Sequence, residues 1–219
     1  MKSRFFSLAA IVLILMASSV LAQEPAAEKL SVMIDVRSDF ILPEKGENIT
    51  AQSVNIWLQG KRFSGFLETD YKSKSHTLTI KPSFLFKQGP WYFLGGASTD
   101  SQGSDFVQAG AWFVDSFGKL NVLADLRNYW SISGKKDGYT DNLLQVMYPI
   151  TGKLSIGTDL LYDHWWNGPG RNLYLVGPII AYQLTKEINV YTRVSREWDV
   201  LGDKTQTVDR VRLAAMLIF

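Results

Sequence analysis

The 219-residue chain has no cysteine and only two histidines. Without cysteine there is no disulfide framework, so stability must come from elsewhere. No metal-ligand spacing, phosphate-binding glycine motif or paired catalytic carboxylate stands out, and neither a cofactor nor a metal is expected. Charge of one sign is lacking too, with 23 Lys and Arg against 21 Asp and Glu. That balance implies no nucleic-acid partner. Beyond residue 22 no long apolar run occurs, which excludes a helical membrane protein.

What the chain does have begins at its start. Lys2 and Arg4 precede an apolar run from Phe5 to Met16, followed by Ala17, Ser18 and Ser19. Val20 and Ala22 fit a small-residue cleavage site before Gln23. The expectation is a signal peptide over 1–22, a short periplasmic segment over 23–28 and a single folded unit over 29–219. The absence of cysteine after the apolar run argues against a lipid anchor. Removing Lys2 and Arg4 leaves 21 charges of each sign, a net charge of zero.

The rest of the chain alternates. Leu154, Ile156, Thr158, Leu160 and Tyr162 share one face of a strand, with Ser155, Gly157, Asp159, Leu161 and Asp163 on the other. The same period of two runs through 29–41, 76–87, 119–130 and 187–197. Turn residues divide the chain into about twelve strands: 29–41, 52–60, 62–72, 75–87, 90–98, 104–116, 119–132, 140–150, 153–165, 171–184, 187–200 and 206–219. Connectors alternate between tight (Gly60-Lys61, Gln88-Gly89, Phe117-Gly118, Thr151-Gly152, Thr185-Lys186) and longer, polar ones (42–51, 99–103, 133–139, 166–170, 201–205), with 73–74 a short exception. A transmembrane barrel produces this parity, with short periplasmic turns and longer outside loops. The fold class predicted is all-β, a transmembrane antiparallel up-and-down β-barrel of the Gram-negative outer membrane with both termini periplasmic.

Aromatic residues sit where a membrane would want them. Tyr174 and Tyr182 share a face eight residues apart, as do Phe63 and Tyr71, a separation of roughly 20 Å along the membrane normal. The last strand alternates Val211, Leu213, Ala215, Leu217 and Phe219 against Arg210 and Arg212. Such a terminal aromatic resembles the end that barrel-assembly machinery recognises, so that machinery and outer-membrane lipid are expected partners.

With the apolar face toward lipid, the polar face turns to the lumen. The candidate pore-lining residues are Asp35, Arg37, Asp39, Glu68, Lys81, Asp125, Arg127, Asp159, Asp163, Arg193, Glu197, Arg210 and Arg212. Lys87 and Asp70 share those faces. Closure would bring Arg210 and Arg212 beside Asp35, Arg37 and Asp39. Opposed charges here either line a wet pore or neutralise one another as a plug, since buried charges must be paired in both cases. Twelve strands give a backbone radius of roughly 12 Å, wider than ordinary side chains fill.

The first strand, LSVMIDVRSDF (Leu30–Phe40), and the last segment, TQTVDRVRLAAMLIF (Thr205–Phe219), together with size and strand number, resemble the small monomeric twelve-stranded channels. These are the oligogalacturonate-specific porin family and its sialic-acid channel relatives. The resemblance implies a monomer that takes up acidic oligosaccharides along arginine-rich lumen tracks. This chain departs from that pattern in its balanced inner charge, with Arg193, Arg210 and Arg212 left as a local positive track.

The functional expectation is passive diffusion of small hydrophilic solutes such as oligosaccharides or other polar metabolites, without enzymatic activity. A structural or adhesive barrel is the alternative, although the outside loops are short. A lipid-modifying enzyme would need Ser, His and an acid at the rim. Asp163 and His164 are strand neighbours pointing to opposite faces, and no Ser lies two residues from His76 or His164. Trp165 and Trp166 read better as a rim anchor.

Overall fold

The computed structural model describes residues 31–166 and 170–219. The expected signal peptide, the 23–28 segment and the first two residues of the first strand lie outside the described residues.

Lipid offers the backbone no hydrogen bonds, so a chain of short alternating segments can cross it only as a closed sheet. The chain forms such a sheet. Twelve strands follow in order: β1 (Ser31–Pro43), β2 (Ile49–Gln59), β3 (Phe63–Lys72), β4 (Thr77–Gln88), β5 (Trp91–Asp100), β6 (Asp105–Phe117), β7 (Leu120–Ser131), β8 (Tyr139–Pro149), β9 (Leu154–Trp165), β10 (Arg171–Gln183), β11 (Ile188–Leu201) and β12 (Lys204–Ile218). Each pairs antiparallel with its sequence neighbours, and β1 pairs with β12 to close the barrel. At the seam Val36 faces Ala215 and Asp39 faces Arg212. Phe219 N–H donates to the Val32 carbonyl at 2.8 Å, and Val32 N–H returns a bond to Phe219 at 3.1 Å.

Alternation decides which way each side chain points. On β9 Asp159 is buried while Ile156, Leu160 and Tyr162 are exposed. Three strands whose faces contrast weakly in sequence also resolve. β5 turns Tyr92, Leu94 and Ser98 inward, β6 turns Phe106, Gln108 and Trp112, and β10 turns Leu175 and Ile179. Tyr174 and Tyr182 both stay exposed on the outer face, as does Tyr71. Phe63 packs on that face against Phe84 and Phe86.

The two ends of the barrel differ. At one end the turns are tight, and Gly89 and Gly118 supply the positive φ that two-residue hairpins require. At the other end the connectors are 44–48, 73–76, 101–104, 132–138, 166–170 and 202–203. At two connectors the strand ends extend further than the sequence reading placed them, whereas the one read at 73–74 lengthens to 73–76. The connector expected over 42–51 shrinks to 44–48, and the one expected over 201–205 becomes the Gly202-Asp203 hairpin. Lys136 ties the 132–138 connector to the neighbouring hairpin through Asp100 at 2.6 Å.

Pro82 and Pro178 lie in strands where each removes a ladder donor. No extra residue is inserted at either. On β4 pairing with β5 lapses between Ile80↔Thr99 and Ser83↔Gly96. The Gln108 amide reaches into that gap, donating to Ser83 Oγ at 2.7 Å, Ala97 O at 3.3 Å and Pro82 O at 3.4 Å. On β10 pairing with β11 lapses between Val176↔Arg196 and Ile179↔Arg193. There Gly177 permits a close approach, because a Cβ would lie 2.4 Å from Val194 O and 2.5 Å from Ser195 Cβ. Gly177→Val is expected to destabilise the barrel by about 2 kcal/mol. Gly95→Val, where a Cβ meets nothing within 4 Å, is expected to be tolerated. Urea-unfolding midpoints in detergent compare the two.

Candidate functional site

The inward side chains divide the interior into three regions. Along β9–β12 and β1, arginines and carboxylates form separate pairs. Arg212 grips Asp39 with two bonds of 2.8 Å across the seam. Arg37 donates to Asp35 at 2.5 Å, and the Tyr191 hydroxyl reaches the same carboxylate at 3.3 Å. Arg193 binds Asp159 at 2.6 Å, which also accepts from Gln145 at 2.9 Å. Arg210 binds Glu197 at 2.5 Å. Each arginine of the expected positive track therefore has its own carboxylate, and the track is neutralised. In a low-dielectric interior an unpaired guanidinium would be costly, so pairing follows from burial.

The second region joins β3, β4, β7 and β8. Arg127 contacts Glu68 from four strands away, crossing the interior, and binds Asp125 at 2.7 Å. Asp141 lies 3.9 Å from the same guanidinium. Lys81 completes the network at 3.8 Å from Glu68 and 3.7 Å from Asp70, and Asp70 accepts from Ser53 at 2.7 Å. Asp163 sits opposite Asp141 in register.

The third region is apolar and lies toward the tight turns of β2–β6. Leu85, Tyr92, Leu94 and Trp112 form a buried cluster with Trp57 and Phe66 packed on it. Trp57 on β2 meets Trp112 on β6 edge to face, 5.4 Å between ring centres, and Phe66 meets Trp112 at 5.1 Å. Side chains thus span the interior here, against the expectation that twelve strands leave the width unfilled. Two large aromatics from walls four strands apart suffice to meet. Sequence reading missed this cluster because it equates inward with polar. The available signal was parity, since Trp57 shares its face with Ser53 and Asn55.

Other expected features resolve as follows. Lys87 lies over the Tyr92 ring at 5.2 Å. Trp166 is exposed and donates to Thr140 Oγ1 at 2.8 Å, packing on Trp130. Trp165 stacks on Tyr139 instead, so only one of the two tryptophans faces outward. His164 Nδ1 pairs with Asn172 Oδ1 at 2.8 Å and His76 Nδ1 with the Tyr71 hydroxyl at 3.1 Å.

No family model and no curated protein sequence matches the chain. Solved structures do. The NanC porin aligns with a TM-score of 0.61 at 14% identity, covering 84% of this chain and 98% of that one. The KdgM porin in complex with disordered oligogalacturonate aligns with the same figures. The translocator domain of the autotransporter NalP from Neisseria meningitidis aligns at 0.55 and 15% identity, over 98% and 97% of the two chains. The likeness is one of fold, that of small twelve-strand outer-membrane barrels.

Removing the Arg127 guanidinium leaves Glu68 and Asp125 without their nearest cation. Arg127→Met is expected to cost about 3 kcal/mol. Arg196→Met, which breaks an exposed outer-face pair with Asp209, is expected to leave stability unchanged. Equilibrium unfolding in detergent separates them.

Proposed function

We propose that the chain is an outer-membrane channel for passive diffusion of small hydrophilic solutes. The observation that carries this reading is the set of charged and hydrogen-bonding groups that β7–β9, β11, β12 and β1 turn inward, among them Asp125, Arg127, Asp159, Arg193, Glu197 and Asp39, in a barrel of twelve strands. Eight strands would be filled by their own side chains, whereas twelve enclose more width. Polar walls suit polar solutes because hydrogen-bonding groups at the surface of the lumen can be bridged to a solute directly or through water. Likeness in fold to the NanC and KdgM porins supports transport as the class of function. Oligogalacturonate, named with KdgM, is an acidic ligand. The neutralised arginines here favour small polar solutes over a dedicated path for such polyanions.

A structural barrel without an open pore is the second reading, favoured by the Trp57–Trp112 contact and the Arg127–Glu68 bridge that cross the interior. Planar-bilayer recording decides between them. Discrete ohmic steps are expected for the wild type. Trp112→Ala is expected to raise the step size, since it removes one half of the aromatic bridge. A folded, heat-modifiable protein that conducts in neither form overturns the channel reading.

A further inference from the structure

The tight connectors of the barrel are 60–62, 89–90, 118–119, 150–153 and 184–187. Their side chains bring five cations, Lys61, Arg62, Lys119, Lys153 and Lys186, against one carboxylate, Glu187. The connectors at the opposite end bring four of each sign, Lys45, Lys74, Lys135 and Lys136 with Glu44, Glu47, Asp137 and Asp203. One end of the barrel is therefore balanced and the other is basic. Charges flanking the tight end cancel. Lys87, just before 89–90, lies over the Tyr92 ring, and Asp115, just before 118–119, accepts from the Ser116 N–H at 2.8 Å.

Most of the basic end is also uncommitted. Lys61 is engaged within the molecule. Arg62, Lys119, Lys153 and Lys186 are exposed, and among the described residues none of these four forms an ion pair. Glu187 already accepts from Thr185 Oγ1 at 2.9 Å. At the other end, by contrast, Lys136 binds Asp100 and Lys135 donates to the Gln102 carbonyl.

The neighbours of these four cations are apolar. Phe117, 58% exposed, stands two residues before Lys119 and stacks on Phe113, which packs in turn on Trp91. Ile150 and Leu184 are exposed within the connectors that carry Lys153 and Lys186. Phe63, on the outer face, follows Arg62 directly. Apolar contact surface and positive charge thus meet on four separate hairpins. A Lys or Arg stem can lie along such an apolar edge while its charge reaches the adjoining aqueous layer. Beside hydrocarbon that layer holds the phosphates of lipid headgroups, and anionic lipids attract cations placed there. A soluble acidic protein matches the charge but not the apolar side chains interleaved with it.

We propose that the tight-turn rim is a docking surface for anionic phospholipid, with Arg62, Lys119, Lys153 and Lys186 binding headgroup phosphates of the leaflet on that side. The surface requires the barrel to stand in a bilayer and is independent of whether its lumen conducts. Because the contacts sit on four hairpins spread around the rim, together they set the depth and stance of the barrel against the leaflet.

The test is electron spin resonance of the intact protein in phosphatidylcholine vesicles, with a trace of spin-labelled phosphatidylglycerol or of spin-labelled phosphatidylcholine. The motionally restricted fraction of each label gives its relative association with the barrel. One Lys or Arg near an anionic lipid surface contributes about fivefold, so the average over the whole lipid shell is expected to favour phosphatidylglycerol by about twofold. The preference is expected to vanish in about 1 M salt, where the screening length is ~3 Å. Arg62→Gln/Lys119→Gln/Lys153→Gln/Lys186→Gln is expected to abolish it. Lys45→Gln/Lys74→Gln/Lys135→Gln/Lys204→Gln, which removes the same charge from the opposite end, is expected to retain it. Heat-modifiability on a gel shows that each variant is folded, and the salt dependence of the wild type needs no variant at all. No preference in the wild type, or one that salt leaves intact, overturns the proposal and leaves an acidic protein as what these cations meet. A preference that the folded tight-end variant keeps, or that the opposite-end variant loses, overturns it too, because the lipid is then held elsewhere.

Discussion

Everything in this molecule depends on the need to pair every backbone N–H and C=O where no water can do so. A single open edge would leave a row of unsatisfied groups in lipid. Closure through β1 and β12 meets that need, and it divides the side chains into two sets with opposite requirements. Outward residues must tolerate hydrocarbon. Inward residues must satisfy one another in a space the protein itself encloses. The two prolines show how strict the requirement is, since each ladder gap coincides with a compensating feature: the Gln108 amide at one, the close approach at Gly177 at the other.

Inside, three solutions to the same problem coexist. Along the seam, arginines and carboxylates cancel in pairs. Toward the tight turns of β2–β6, apolar aromatics exclude water altogether. Between β3, β4, β7 and β8, Arg127 and Lys81 are shared among Glu68, Asp70, Asp125 and Asp141, beside the stacked rings of Tyr129, Tyr139 and Trp165. Shared charges of this kind depend on one another, so the loss of one is felt by all.

Much of the architecture was legible in the sequence because the environments on the two faces of a membrane-spanning strand are so unlike. Strand β9 shows this, with Asp159 and Asp163 on one face and Leu160 and Tyr162 on the other. Turn glycines mark chain reversals at both ends, Gly89 and Gly118 at one and Gly46, Gly103 and Gly202 at the other, since few other residues adopt the backbone they need. The site was less legible. Parity says which face Arg127 takes, but it cannot say that its partner is Glu68, four strands away. That depends on the stagger of the closed sheet. The Trp57–Trp112 core escaped for the opposite reason. Inward apolar residues look the same in sequence as lipid-facing ones, and only the alternation of their polar neighbours marks them. Strand ends were misjudged where the chain leaves the membrane and alternation loses its cause, as at Gly202-Asp203.

The seam has a further consequence, for the order in which the barrel forms. Eleven of the twelve pairings join strands adjacent in the chain, but Asp39 and Arg212 are 173 residues apart. Loop-closure entropy rises only slowly with length, about 0.6 kcal/mol per doubling, so the long closure is affordable but necessarily late. Until it occurs, β1 and β12 are open edges of a curled meander, each carrying charges that await their opposites. Those charges make stray pairing with another chain's edge unfavourable. The same charges then meet across the seam, so what guards the incomplete sheet becomes what fastens the finished one.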